Sequence, residues 1–277
     1  MPYRCFEVTV ADKVAHLRLS RPDELNTMVP EFWNDLPAII TELSDRGDVR
    51  AVVISSTGKH FSAGMDLSVF TGSGLLGDAE AGRRNATFSL LVRRLQGTFT
   101  ALERARMPVL VAIQGGCIGG AVDLVCAADM RYATPDAFFV VQETNIGMTA
   151  DVGTLQRLPK LIPDGVAREL VYTGRRLTAE RAYELGLVNE LFPDHDALLQ
   201  GTLAIAREIA EKSPLTIWGA KEALVYARDH SVPESLHQIS LWQTGAFQPA
   251  DMMEAFAAKG EQRPAVYPDL PPAPTLS

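Results

Sequence analysis

Two glycine-containing turns each follow a predicted buried strand, and they are the segments of this sequence best suited to chemistry. The first turn is His60–Leu67 (HFSAGMDL), after the apolar run 50–56, and the second is 115–120 (GGCIGG), after the apolar run 108–113. Helices that begin at strand ends leave backbone N–H groups free, and ligands bind there in α/β folds. Two such N–H groups directed at one point could form an oxyanion hole, although either turn alone is more simply a tight connection.

Carboxylates follow the second turn, and they are the candidate catalytic groups of this part of the chain. Asp123, Glu143 and Asp151 follow it along the chain. Each has a structural alternative, since Asp123 falls where a helix dipole favours negative charge, Asp151 could cap the next helix, and Glu143 could be an exposed loop acid. The segments that should build the cleft carry carboxylates and glycines, and we identify no His, Cys or Ser in them as a candidate nucleophile. This composition suits proton transfer at carbon rather than acyl or phosphoryl transfer.

Several familiar motifs are missing or misplaced. Residues 72–77 (GSGLLG) match GxGxxG, but they lie in a linker and lack the strand before and the helix after that a dinucleotide site needs. No GxSxG or GxxxxGK[ST] motif occurs. We expect no metal, because the histidines lack metal-ligand spacing. They are His16, His60, His195, His230 and His237.

The composition indicates an ordinary globular protein. The chain has 277 residues, 47% of them hydrophobic, and 26 Lys+Arg against 34 Asp+Glu give a net charge of −8. This acidic balance argues against nucleic acid as a partner. The three cysteines, without a CxxC motif, indicate a reducing, cytosolic compartment. We expect neither a signal peptide at the N-terminus nor a membrane span.

Alternating strands and helices up to about residue 160 predict an α/β core, and the chain beyond 164 is mostly helical. Residues 71–85 are expected to form a mobile surface segment, and the proline-rich tail after Gly260 an extended one. The predicted elements are a β-hairpin over 6–19, strands over 50–56 and 108–113, two short strands within 129–140, and helices over 30–45, 88–105, from about Ala121, and over 164–172, 178–185, 195–212, 215–229 and 249–258.

Several collinear motifs between about residues 6 and 260 carry a family resemblance. They are FSAGMDL, GGCIGGAVDLVCAADMR, ETNIG and GTLQRL. In these motifs the chain resembles the crotonase (enoyl-CoA hydratase/isomerase) superfamily. The resemblance implies an α/β fold made of a spiral of ββα repeats, followed by a helical C-terminal trimerisation region. Residues 1–195 would form the core with the site, and 196–277 the region that builds a homotrimer or dimer of trimers and covers CoA.

The resemblance also implies which groups contact an acyl-CoA thioester. The backbone N–H groups of Met65 and Gly120 would hold the thioester carbonyl. No cofactor is expected beyond the CoA carried by the substrate. Asp66 has a second interpretation, as a structural acid like Asp129. Phe256 and Lys259 would either reach the CoA of an adjacent subunit or form an ordinary helix face. The other implied contacts with the substrate or its CoA are Ala63, Gly64, Asp66, Leu67, Gly119, Phe256 and Lys259.

The acids decide the subfamily. Hydratases of this superfamily have glutamates at the positions of Asp123 and Glu143 and hold water between them. The shorter Asp123 and the additional Asp151 make the triplet similar to that of dienoyl-CoA isomerases. The resemblance therefore implies proton transfer between C2, served by Glu143, and C6, served by Asp151, with Asp123 in support. The reversed assignment of Glu143 and Asp151, an enoyl-CoA hydratase, and a non-catalytic CoA-binding protein all stay open. Pocket walls within 71–95 would set the acyl selectivity.

Overall fold

Strands and helices alternate as far as residue 191 in this computed structural model, which describes residues 3–66, 68–71 and 80–274. The strands are β1 Phe6–Ala11, β2 Val14–Leu19, β3 Ala51–Ser56, β4 Val109–Ile113, β5 Gly116–Ile118, β6 Met130–Ala133, β7 Phe138–Val140, β8 Leu177–Thr178 and β9 Glu190–Leu191. The helices are α1 Pro30–Arg46, α2 Ser68–Thr71, α3 Ala81–Arg104, α4 Gly120–Ala127, α5 Thr154–Arg157, α6 Asp164–Thr173, α7 Ala179–Glu184, α8 His195–Ala210, α9 Pro214–Ala227, α10 Val232–Ala246 and α11 Pro249–Glu261.

The larger sheet has the strand order β1-β2-β3-β4-β6-β9. It begins with the predicted hairpin, whose turn residues Asp12 and Lys13 both have positive φ, at 50° and 64°. Positive φ at both central residues is typical of the tight turns whose twist matches that of the two strands. From β2 onward the neighbouring strands pair in parallel. Every residue of β3 and β4 is buried, as expected for parallel strands that are covered on both faces.

The smaller sheet, in the order β5-β7-β8, brings the two glycine turns together. Strand β5 lies inside the second turn, where the sequence predicts no strand. Cys117 of β5 forms an isolated parallel bridge with Ser62 of the first turn, and Met28 forms another with Met65. The two turns are therefore joined by backbone hydrogen bonds, although they are distant in sequence.

An aromatic cluster of the core lies under these turns. Phe32 and Trp33 of α1 pack edge-on and contact Phe99 of α3 at ring-centroid distances of 6.4 and 5.3 Å. The Trp33 indole N–H donates to the Met28 carbonyl at 3.0 Å, so the cluster is also fixed to the chain beside the first turn. This packing sets where α3 runs relative to the turns, because a buried aromatic ring tolerates little displacement.

The start of α3 differs from the sequence prediction, and the short helix α2 was not predicted. Helix α3 begins at Ala81, because the Glu80 carboxylate caps it by accepting from the Gly82 and Arg83 amides. Residues 81–85, expected to belong to a mobile surface segment, are therefore helical and exposed, and their mobility stays a prediction. Residues 72–79, with the GxGxxG match, lie outside the described residues. Helix α10 was not predicted. The capping box of Ser231 with Glu234 is the local signal that marks its start.

In the C-terminal part of the chain, helix α8 packs against the larger sheet, and the tail and helix α9 also contact the core. The tail runs without regular structure and donates from the Leu270 amide to the Gly47 carbonyl at 3.1 Å. Helix α9 inserts Lys221, a buried ammonium group. It donates to the carbonyls of Leu102 and Met107 and to the Asp129 carboxylate, at 2.6, 2.9 and 2.8 Å. In the described part of the chain, no helix is both long and apolar enough to cross a membrane.

The ion pair of Lys221 generates a stability prediction. Asp129→Ala removes its acceptor and also the acceptor of the Val109 amide, so a buried ammonium group loses its counter-ion. We expect the free energy of unfolding in urea to fall by about 2–3 kcal/mol. This is less than removal of a fully buried counter-ion would cost, because the Asp129 side chain is one-quarter exposed. Asp196→Ala, at an exposed acid of α8, is the matched control and should cost less than about 1 kcal/mol. Equal effects of the two substitutions would contradict the assignment.

Candidate active site

Gly64 allows the two glycine turns to approach each other. Its φ of +87° is unfavourable for residues with a side chain. A Cβ atom at this position would also lie 2.5 Å from the Ile118 carbonyl oxygen and 3.2 Å from the Gly120 nitrogen. Only glycine fits here, and its absence of a side chain brings the backbone of Met65 close to the start of α4.

The backbone directs two amide groups into the same space. The Met28 amide donates to the Gly64 carbonyl and the Met28 carbonyl accepts from the Asp66 amide, so the intervening Met65 N–H points to the opposite side. On that side the Met65 nitrogen is 3.7 Å from where a Cβ of Gly120 would be. Gly120 is the first residue of α4, a position whose N–H has no acceptor within its own helix. Neither amide has an acceptor among the described residues, and Met65 and Gly120 both line the cavity described next.

A cavity opens beside these amides. Its walls are largely apolar and come from α3, the short helix α2 and the segment 142–152, with Glu143 and Asp151 among the polar lining groups. The lining residues are Ala63, Met65, Val69, Phe88, Leu91, Val92, Leu95, Gly119, Gly120, Gln142, Glu143, Ile146, Met148, Asp151 and Val152.

Glu143 and Asp151 share this cavity as half-buried carboxyl groups. Glu143 begins a single 3-10 turn, and its Oε1 lies 3.3 Å from where a Cβ of Gly119 would be, next to the second glycine turn. Burial raises the pKa of Glu143, and the charge of Asp151 raises it further. Burial also raises the pKa of Asp151. Two carboxyl groups that share a partly desolvated space favour one protonated and one ionised form.

Asp123 lies behind the cavity wall and is completely buried. Its Oδ1 accepts from the Thr154 amide at 2.6 Å, and its Oδ2 has no partner among the described residues. Burial, followed by the charge of Glu143, raises the pKa of Asp123 to about 7. The structural alternative for Asp151 is wrong, because Gly153 is the N-cap of α5 and the carboxylate that accepts from its first amide belongs to Asp123.

The other acids near the turns have structural partners. Asp66 accepts from the Ser68 amide at 2.9 Å and from the Thr27 hydroxyl at 3.1 Å. Asp129 holds Lys221, as described above. These contacts agree with the structural interpretation of both acids, and Asp66 does not line the cavity.

The remaining predicted contacts divide between the cavity and the C-terminal helices. Ala63 and Gly119 line the cavity, whereas Leu67 lies outside the described residues. Phe256 and Lys259 are exposed on α11 and do not line this cavity, so the chain alone does not bring them to it.

The apolar wall of α3 was expected only as part of the range 71–95. Its members Phe88, Leu91, Val92 and Leu95 recur at helical spacing and line the cavity. This periodicity is visible in the sequence, but it does not tell a core-facing stripe from one that faces a cavity. Met148 and Gln142 carry no sequence signal that would have identified them.

Known proteins resemble the chain over almost its full length. A family model described as enoyl-CoA hydratase/isomerase matches residues 9–269. The mitochondrial Delta(3,5)-Delta(2,4)-dienoyl-CoA isomerase of Rattus norvegicus is 42% identical over 94% of this chain and 81% of the relative. A peroxisomal protein of the same name from Arabidopsis thaliana is 36% identical over 90% of this chain and 91% of the relative.

A solved structure supports the same assignment. The crystal structure of enoyl-CoA hydratase from Bacillus anthracis superposes with a TM-score of 0.84 at 30% identity, and covers 95% of this chain and 99% of that one. The expected α/β crotonase fold is therefore confirmed. Sequence motifs, fold and family model agree, and the chain belongs to the enoyl-CoA hydratase/isomerase family of enzymes.

Proposed function

We propose that this protein is an acyl-CoA isomerase that converts 3,5-dienoyl-CoA into 2,4-dienoyl-CoA. The observation that carries the proposal is the pair of half-buried carboxyl groups, Glu143 and Asp151, that line one apolar cavity beside two free backbone amides. The names of the relatives from Rattus norvegicus and Arabidopsis thaliana support the same reaction.

In this proposal the thioester carbonyl of the substrate accepts from the Met65 and Gly120 amides. Removal of a C2 proton sends its electron pair through the conjugated system to the thioester oxygen. The two amides stabilise the resulting enolate, because they are held by the backbone before the charge develops. Return of the electron pair with protonation at C6 leaves double bonds at C2 and C4.

Glu143 serves C2 and Asp151 serves C6 in the assignment that we favour. Glu143 lies beside Gly119 and hence near the amides that would hold C1, whereas Asp151 is adjacent to Val152 on the wall that α3 faces. The base must be ionised while the acid is protonated. The raised pKa values of both groups bring this condition closer to neutral pH.

Asp123 acts in support of this pair. Its carboxyl group does not line the cavity, and one of its oxygens is used by the Thr154 amide. A hydratase would need Asp123 and Glu143 to face a common space that holds water. The enclosure of Asp123 therefore favours the isomerase over the hydratase alternative.

The proposal also includes the assembly of subunits and the covering of CoA by the C-terminal helices. Several large apolar side chains of α9–α11 are exposed on the single chain, as expected if these helices contact other subunits of a homotrimer or dimer of trimers. Phe256 and Lys259 would then reach the CoA of a neighbouring subunit. The exposed apolar residues are Leu224, Val232, Leu236, Leu241, Met252, Met253 and Phe256. The cytosolic location stays a prediction.

The direct test is turnover of synthetic 3,5-dienoyl-CoA. We expect the ultraviolet absorbance of the conjugated 2,4-dienoyl thioester to rise with enzyme, with no requirement for added metal or redox cofactor. The same preparation is offered 2-enoyl-CoA as a comparison. Hydration of 2-enoyl-CoA without conversion of the diene would refute the isomerase and favour a hydratase, and no reaction with either thioester would favour a CoA-binding protein.

Substitution of the two cavity acids tests their roles. Asp151→Asn and Glu143→Gln keep the side-chain size but remove the transferable proton, so kcat should fall by about 10²–10⁴-fold in each. KM should change by less than about threefold, because the CoA part of the substrate is untouched. Asp196→Asn, at an exposed acid of α8 that does not line the cavity, is the matched control. Near-normal kcat in either cavity variant would remove that residue from the mechanism.

The buried state of Asp123 generates a stability prediction that is independent of turnover. Its pKa is raised from 3.8 to about 7, so the folded protein holds this proton more tightly than the unfolded chain. The protonated Asp123 therefore contributes to the free energy of unfolding in full below about pH 4, and this contribution is lost as pH rises to about 7. The total loss is on the order of 4 kcal/mol.

Asp123→Asn lacks this titration. In urea unfolding between pH 4 and pH 8, we expect the stability of the variant relative to the wild type to improve steadily until about pH 7 and then to level off. Glu143 and Asp151 titrate in both proteins and largely cancel in the comparison. If the free energies of unfolding of the two proteins changed in parallel with pH, the pKa of Asp123 would not be raised.

A further inference from the structure

We propose that Gln96 is a positioning residue, which acts through Asp151 by fixing the peptide that carries this acid. The inference rests on the proposed function, because it concerns how one of the two proton-transferring groups is held. Gln96 is an exposed residue of α3, and it is not among the residues that the family resemblance points to.

The segment 151–154 is a thin wall between two cavities. Asp151 and Val152 line the cavity beside the free amides, whereas Val152 and Gly153 line a second cleft on the other side, together with Gln96 and Arg157. Asp151 lies in neither a helix nor a strand. Its position therefore depends on side chains that hold the backbone of this wall.

Both ends of the wall are held by side-chain hydrogen bonds. The Gln96 Nε2 donates to the Asp151 carbonyl at 2.7 Å, and the Asp123 Oδ1 accepts from the Thr154 amide at 2.6 Å. The first bond fixes the peptide plane that follows Asp151, and with it the direction of the Asp151 Cα–Cβ bond. The second bond fixes the start of α5, three residues later.

The polar stripe, defined as Gln96, Thr100 and Glu103, extends this support along one face of α3. The spacing of four and three residues puts the three side chains above one another. Glu103 accepts from Arg157 Nε and Nη2 at 3.0 and 2.7 Å, and Thr100 accepts from Nη2 at 3.3 Å. Arg157 passes so close to Gly153 that a Cβ there would overlap its guanidinium. The stripe thus holds the wall at Asp151 and again through Arg157.

The same helix contacts the substrate tail in the proposed function. Its preceding turns supply Phe88, Leu91 and Leu95 to the apolar cavity wall. Helix α3 therefore sets the position of Asp151 relative to the surface on which the acyl tail would lie. A proton donor must be within hydrogen-bond reach of its carbon, and a displacement of about 1 Å can cost about 10²-fold in rate.

Gln96→Met removes the amide donor at nearly constant side-chain size. We expect kcat with 3,5-dienoyl-CoA to fall by roughly tenfold, with KM within about twofold of the wild type, because Asp151 is displaced but not lost. Gln200→Met, at an exposed glutamine of α8, is the matched control and should leave both parameters unchanged.

Solvent deuterium exchange separates a positioning role from a merely structural one. In D2O, the enolate can take up a deuteron at the carbon that lost its proton, which is measured as exchange. Alternatively it is protonated at the other carbon, which is measured as turnover. Asp151→Asn should raise exchange at the carbon served by Glu143 relative to turnover, and Glu143→Gln should have the opposite effect. Gln96→Met must change this ratio in the direction of Asp151→Asn. The ratio does not depend on how much enzyme is folded, since both rates come from the same active molecules.

A second measurement uses the double variant. In an Asp151→Asn background, Gln96→Met should change kcat by less than about twofold, because the effects of residues that act through one another are not additive. A tenfold additional loss there, or an unchanged exchange ratio in the single variant, overturns the role of Gln96 while the isomerase stands. Absence of diene turnover in the wild type overturns the proposed function itself, and the role of Gln96 with it.

Discussion

The hydrogen bond from the Thr154 amide to the buried Asp123 carboxylate connects the two halves of the candidate site. Asp123 belongs to the first turn of α4, directly after the glycine turn that supplies the Gly120 amide. Thr154 begins α5, directly after the wall that carries Asp151. This bond therefore relates the position of one acid to the position of the amides. Because both partners are buried, loss of the bond would leave an unsatisfied polar group in the interior, which is more costly than loss of an exposed contact.

The degree of enclosure differs among the three acids, and the different tasks in the proposed function follow from this difference. Asp123 is enclosed by protein on all sides, so burial acts on it most strongly and it can serve only through groups that it contacts. Glu143 and Asp151 keep an open side toward the cavity, where a substrate carbon could approach. In the proposed function, carboxyl groups of the same intrinsic chemistry act as a supporting acid and two proton-transferring groups because their environments differ.

Helix α3 connects the site with the rest of the molecule. Its apolar residues form a cavity wall, its polar stripe holds the segment around Asp151, and Phe99 belongs to the aromatic cluster of the core. Glu103 also pairs with Arg228 next to α9, so the C-terminal helices contact the same support. Buried ion pairs of this kind contribute little net stability compared with apolar packing, whereas removal of one partner is costly because it leaves the other charge buried and unpaired. Displacement of Arg157 from Glu103 would therefore be costly, which restrains the wall at this point.

Local sequence patterns were sufficient for the hairpin, the buried strands, most helices and the family, since these depend on neighbours along the chain and on motifs such as FSAGMDL and GGCIGG. They did not reveal β5 within the second turn, the start of α3 at Ala81, or the polar stripe that begins at Gln96. The family resemblance of the sequence indicated Asp123, Glu143 and Asp151 as a set. Only the tertiary structure separated the enclosed Asp123 from the two acids that line the cavity. Whether a side chain meets solvent, a cavity or a distant backbone amide is decided by segments far away in the chain, and no pattern of near neighbours contains that information.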